Sequence, residues 1–151
     1  MEDGILLYNQ GSYEQALDFF LSAEVGSESY PLLAYYLGLT YTQLERFDEA
    51  MLYLEQVVTS PESGIVQVYQ ARMILAYIYS ITERFDLAVY ELSELERGGS
   101  ESVQLYALLG YAYFHEGKAD ESIEVLNRAL ELEPANANAL NSLGYILAVT
   151  G

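Results

Sequence analysis

The sequence predicts an all-α fold, a solenoid built from antiparallel helix-turn-helix pairs, and three observations predict it. The chain repeats itself at a spacing close to 34 residues. Within each repeat the apolar residues recur at helical and not at strand spacing. Glycine and proline fall between the periodic segments, and no proline lies inside one.

The register comes from aligning Leu37-Gly38-Leu39-Thr40-Tyr41 with Leu75-Ala76-Tyr77-Ile78-Tyr79, Leu109-Gly110-Tyr111-Ala112-Tyr113 and Leu143-Gly144-Tyr145. The small residues Gly4, Gly38, Ala76, Gly110 and Gly144 then lie 34, 38, 34 and 34 residues apart. A second ladder of small residues, Ala16, Ala50, Ala88 and Ser122, repeats the 34, 38, 34 spacing, including its one irregularity. Small side chains at fixed intervals let two helices cross closely without a void.

Each repeat reads as two helices. Leu33, Tyr36, Leu37 and Tyr41 form one stripe, a turn follows at Glu45-Arg46, and Ala50, Tyr53, Leu54 and Val57 form a second stripe. Gly11, Gly117 and Gly98-Gly99 mark helix ends, while Pro31, Pro61 and Pro134 mark expected helix starts. The resulting organisation is a single repeat domain over 1–151, with a partial unit at 1–30, full units at 31–64, 65–102 and 103–136, and a terminal helix at 137–151. Because the pattern runs into both ends, the expectation is a fragment of a longer repeat protein. Four extra residues near Glu62-Ser63-Gly64-Ile65 equal about one helical turn. They either lengthen the first helix of the third unit or loop out at its rim.

Composition bounds the function. The chain has 151 residues, 52% of them hydrophobic and 19% charged, enough for a core. Its 23 acidic residues against 6 basic ones give a formal charge of -17, which argues against nucleic acid and anionic membrane as partners. With no cysteine there is no disulfide, thiol nucleophile or Cys-ligated zinc, and the compartment stays unassigned. No apolar run reaches the roughly 18 to 20 residues that cross a bilayer, and Met1-Glu2-Asp3-Gly4 lacks the basic start of a signal peptide, so direct membrane insertion is not expected.

These repeats resemble the tetratricopeptide family. The fourth unit supplies Leu109, Gly110, Tyr113, Gly117, Ser122, Leu126, Ala129 and Pro134, and the second supplies Leu37, Gly38, Tyr41, Phe47, Ala50, Leu54 and Pro61. Departures are Glu45 and Glu83 where the family often has Gly, Ala119 at the turn aromatic, and Val57 and Leu95 at the late Ala. The resemblance implies a right-handed α-solenoid and a concave groove lined by a second stripe of each first helix. Carried onto this chain, that stripe comprises Tyr35, Leu39 and Thr42; Met73, Tyr77 and Ser80; Ala107, Tyr111 and Phe114; and Asn141, Tyr145 and Ala148. Gln70, Gln104 and Asn138 form a further row one turn earlier. The expected peptide-binding residues are therefore Tyr35, Leu39, Gln70, Met73, Tyr77, Gln104, Tyr111, Phe114, Asn138, Asn141 and Tyr145.

Catalytic chemistry finds little to work with. His115 is the only histidine, and no nucleophile elbow, phosphate loop or dinucleotide fingerprint is present. His115 reads first as an ordinary helix-end residue, and its functional reading is a polar contact on the inner rim. Glu91, Glu94 and Glu96, or Asp120, Glu121 and Glu124, lack the spacing of a calcium loop and read as a solvated face. The Glu45-Arg46-Phe47-Asp48 and Glu83-Arg84-Phe85-Asp86 tetrads read as turns, with each Asp in the first turn of a helix, where the dipole favours it. No catalytic residue, metal site or cofactor is expected.

Tyrosine buries large area at low rotamer cost, and amides both donate to and accept from a main chain. The expected function is a non-catalytic scaffold binding a neutral or basic, apolar-containing peptide or helix in a Tyr-rich groove. Some members of the family hold a partner's C-terminal carboxylate with Lys and Arg on these stripes; here those positions carry no cation. Two alternatives remain: homo-oligomerisation through the groove or the open C-terminal helix with Leu140, Leu143 and Leu147, and a regulatory region of an enzyme whose catalytic domain lies elsewhere.

Overall fold

The computed structural model describes residues 1–151 as nine α-helices with no strand. They are α1 (Glu2–Asn9), α2 (Tyr13–Ser22), α3 (Tyr30–Gln43), α4 (Phe47–Thr59), α5 (Ile65–Ile81), α6 (Phe85–Arg97), α7 (Val103–His115), α8 (Ala119–Leu132) and α9 (Ala137–Thr150). Two compact units divide the chain, Met1–Leu75 and Ala76–Gly151, with α5 running through the boundary.

The hairpin turns share one backbone solution. At the end of α1, α3, α5 and α7 a residue enters the left-handed region: Gly11 (φ 82°), Glu45 (58°), Glu83 (61°) and Gly117 (80°). The next residue's amide then reaches back to an earlier carbonyl, as in Arg46 to Tyr41 at 2.9 Å and Lys118 to Tyr113 at 2.9 Å. These bonds satisfy carbonyls that the helix end leaves open. Glu45 and Glu83 thus hold a glycine conformation without being glycine.

Proline placement differs from the sequence expectation in two of three cases. Pro31 sits in the first turn of α3, but Pro61 and Pro134 lie in the loops before α5 and α9. At α9 the starting turn is set by the Asn136 side chain, which accepts from the Ala139 amide at 2.9 Å, and before α5 the Ser63 hydroxyl donates back to the Val57 carbonyl of α4 at 2.6 Å. The extra residues of the third repeat lengthen its first helix. α5 starts at Ile65 and reaches the small residue Ala76 eleven positions on, whereas α3 starts at Tyr30, eight before Gly38, and α7 at Val103, seven before Gly110.

In the N-terminal unit α1 packs on α2, α2 on α3, and α3 on α4, around Leu17, Phe20, Leu37, Leu54 and Val57. Gly4 and Gly38 mark the close crossings. A Cβ on Gly4 would stand 2.7 Å from the Phe20 ring, and one on Gly38 would stand 2.5 Å from Leu54. In the C-terminal unit α7 packs on α6 and α8, and α9 packs on α8 and α7, around Leu92, Leu105, Leu109, Leu126 and Ile146. Gly110 has the same close relation to Leu126, at 2.8 Å.

Candidate functional site

Side chains on helix α7 leave in two directions. Leu105, Leu109 and Ala112 face the core, while Tyr111, Phe114 and His115 stand on the neighbouring stripe, roughly 100° round per residue. Helix α9 presents Ile146 inward and Asn141, Ser142 and Tyr145 beside it. Between them lies a cavity of about 380 Å³, lined by Gly110, Tyr111, Phe114, His115, Leu126, Asn141, Ser142, Tyr145 and Ile146. Gly110 contributes by having no side chain, which lets Leu126 form the floor.

The rings in this cavity hold one another. Phe114 and Tyr145 meet edge to face at 5.8 Å and 76°. His115 lies 4.3 Å from Tyr111, 5.5 Å from Phe114, and stacks on Phe85 of α6 at 4.9 Å and 12°. Phe85 also meets the edge of Tyr111 at 6.0 Å. Such contacts fix ring orientation and add roughly 0.5 to 1.5 kcal/mol per pair beyond area burial. Tyr111 and Tyr145 nevertheless stay 48% and 61% exposed, so their faces are open to a ligand. No Lys or Arg lines the cavity.

Of the expected binding residues, Tyr111, Phe114, Asn141 and Tyr145 come together here. Tyr77, Gln104 and Asn138 belong to the same unit and are exposed, outside this cavity. In the N-terminal unit Gln70 is exposed, and Leu39, Met73 and Tyr35 are half-buried. Tyr35 leans on Tyr36 at 5.5 Å, and burial, followed by the neighbouring phenols of Tyr36 and Tyr8, pushes its hydroxyl above the usual tyrosine range. Ser80 leaves the groove stripe: it is buried and donates to the Ala76 carbonyl at 2.8 Å, because a short hydroxyl inside a helix finds its own backbone before it finds solvent. Thr42 likewise turns back to the Gly38 carbonyl at 2.7 Å.

The sequence places His115 at a helix end, with a polar contact on the inner rim as its functional reading, and Phe85 in a turn with its ring packed between helices, but it does not bring the two rings together. A signal for the pair was present in retrospect: an aromatic opening one helix and a histidine closing the next can meet when the two helices are adjacent. A second cavity in this unit, about 290 Å³, holds Arg128 donating to Glu96 at 2.7 Å and, beside it, Tyr106 facing Glu101 at 3.5 Å. Arg128 also donates to Glu124 at 2.9 Å, so its charge is already committed within the chain. No group of His, Asp and Glu side chains is arranged to hold a metal ion, and no helix is long and apolar enough to cross a membrane.

Helix hairpins repeating near 34 residues, with close glycine crossings and an open ring-lined face, define the class of all-α repeat proteins. Comparison with known proteins gives the family. A tetratricopeptide repeat model matches residues 34–63 and a second model, described as TPR repeat, matches 110–151. Both stretches are thus tetratricopeptide repeats.

Among curated proteins, it is 27% identical over 127 residues to anaphase-promoting complex subunit 3 of Dictyostelium discoideum, covering 78% of this chain and 12% of that protein. It is also 27% identical over 164 residues to a DnaJ homolog subfamily C member 7 homolog of Schizosaccharomyces pombe, covering 98% and 34%. The chain therefore spans about an eighth and a third of those relatives. Among solved structures, MamA from Desulfovibrio magneticus RS-1 superposes with a TM-score of 0.87 at 19% identity, covering 98% of this chain and 81% of that one. The first tetratricopeptide unit of Spaghetti (RPAP3), bound to the HSP90 peptide SRMEEVD, superposes with a TM-score of 0.70 at 22% identity, covering 82% and 94%. At these identities the likeness speaks for the helical-solenoid fold.

Proposed function

We propose that the chain is a non-catalytic protein-interaction scaffold that docks a neutral or basic, apolar-containing peptide or helix on the Tyr-rich face of its repeats. One observation carries the reading: Tyr77, Tyr111 and Tyr145, equivalent in successive repeats, remain 48%, 48% and 61% exposed, while the leucines beside them are buried or half-buried. Rings held in place yet open to water are the kind of anchor that a binding surface needs. The structural relative with the HSP90 peptide holds a segment ending in Glu-Glu-Val-Asp. A comparably acidic segment would meet a charge of -17 here and a cavity without cations, so the favoured partner has the opposite character.

The test is selection from a random peptide library displayed on phage, followed by affinity measurement on the selected peptides. The expected consensus pairs apolar with basic residues, and Tyr77→Ala with Tyr111→Ala weakens binding at least about tenfold while circular dichroism stays native. Selected peptides that bind the double variant unchanged overturn the reading. A second reading, self-association, draws on the exposed Leu140, Leu147 and Val149 of α9. Light scattering from micromolar to near-millimolar concentration separates the two, since a constant monomer mass excludes it.

A further inference from the structure

The C-terminal cavity is chemically more specific than a docking face, and assigning it a ligand presupposes that a partner segment docks on these tyrosines. Tyr111, Phe114 and Tyr145 bring three benzene-type rings to one cavity, with the His115 imidazole beside them. Aromatic faces are negative, and they attract a cation when water is partly excluded. The other polar lining groups are the Asn141 amide and the Ser142 hydroxyl, both able to accept a hydrogen bond. Three cations of this unit are paired with carboxylates. Arg128 donates to Glu96 and Glu124, Arg97 pairs with Glu94, and Lys118 lies 3.7 Å from Glu116. The chain already shows the contact in question elsewhere: the Arg46 guanidinium lies 5.0 Å from the Tyr41 ring centroid.

We propose that this cavity takes the side chain of an arginine carried by a basic segment of a partner protein. Its guanidinium lies against the ring faces, and its N–H groups donate to Asn141 and Ser142. Arginine suits this better than lysine, because its planar and weakly hydrated cation stacks on rings while still presenting donors. A purely apolar side chain fills the same volume, but it makes no use of the two acceptors and gains nothing from the charge of -17.

The experiment uses the whole chain with isotope-labelled aromatic side chains and a neutral-background peptide, Ac-Gly-Ser-Leu-Arg-Leu-Ser-Gly-amide. Companion peptides carry norleucine at the centre, or citrulline at the centre with the arginine moved to one end so that net charge is unchanged. Central arginine is expected to bind about fivefold to tenfold more tightly than the end-placed version, with shifts at the Tyr111, Phe114, His115 and Tyr145 ring protons. Tyr111→Leu with Tyr145→Leu should erase that factor while circular dichroism stays native, at a melting temperature lowered only by the lost ring contacts. If the double variant is not folded, Tyr145→Leu alone carries the comparison, its ring being 61% exposed. Equal binding of the norleucine peptide at these rings overturns arginine selection and leaves the docking surface standing. Equal binding of both arginine placements, or central-arginine binding without shifts at these rings, also overturns it. Failure of the docking reading itself shows separately, as library-selected peptides indifferent to the tyrosines.

Discussion

The Ser122 hydroxyl donates a 2.6 Å hydrogen bond to the Gly110 carbonyl, tying α8 to α7 where Leu126 closes over the same glycine. The two helices meet here without room for another carbon. Gly110→Ala must push Leu126 aside, and the expected cost of about 1 to 3 kcal/mol exceeds the roughly 1 kcal/mol gained in helix propensity. Gly144 holds the equivalent repeat position in α9, yet a Cβ there meets nothing within 4 Å. Gly144→Ala should therefore stabilise by about 0.5 to 1 kcal/mol. Urea unfolding of the two variants checks both signs, and a shared sign would contradict the packing difference.

Glu45 and Glu83 carry positive φ values of 58° and 61° at hairpin turns where Gly11 and Gly117 do the same work. A side chain in that region costs roughly 1 to 2 kcal/mol, part of which glycine returns through its freer unfolded chain. Glu45→Gly and Glu83→Gly are each expected to raise stability by about 0.5 kcal/mol or more. The substitutions also remove negative charge from a chain at -17, so the melts belong in high salt, where that contribution is screened.

Alkaline pH should unfold the chain earlier than its carboxylates alone would suggest. Burial raises the phenols of Tyr8, Tyr35, Tyr41 and Tyr106 above the ordinary value of 10.0, and at Tyr106 the Glu101 and Glu96 carboxylates add to it. The folded chain keeps these protons where the unfolded chain has begun to release them. Their contribution is thus complete below pH 10 and is lost as pH climbs through the raised values. Urea midpoints between pH 8 and 11.5 should fall, and Tyr106→Phe should make the fall shallower.

Much of this architecture was legible in the chain, because small residues at fixed spacing report helix crossings directly. Gly38 against Leu54 and Gly110 against Leu126 are such crossings. The lengthening of α5 was one of two readings of the same four residues, and spacing alone does not tell a helical turn from a loop. Tyr111 and Tyr145 were visible as a stripe, but the cavity they share with His115 was not. His115 stacks there on Phe85 from another helix, and a period read along one helix carries no information about what packs across from it. Ser80 was misplaced for a similar reason: stripe position gives the direction of a side chain, whereas the backbone bond that captured its hydroxyl is local competition.

Arg128 joins α8 to α6 by donating to Glu96 and is held on its own helix by Glu124, in a region that also contains Glu101 and Glu131. Its side chain is 42% exposed, so each pair alone stabilises little. Losing the cation has a second consequence, because the surrounding carboxylates then repel one another in a chain that already carries -17. Arg128→Gln is expected to cost about 0.5 to 1 kcal/mol at low ionic strength. Most of that loss should vanish in 0.5 M salt, where the screening length is only about 4 to 5 Å. Arg128→Met separates charge from packing: it keeps the aliphatic stem, so a loss matching that of Arg128→Gln assigns the effect to the ion pairs. Unfolding both variants at low and high salt measures this, and a loss that salt does not reduce would mean that the arginine stem, and not its charge, holds α6 against α8.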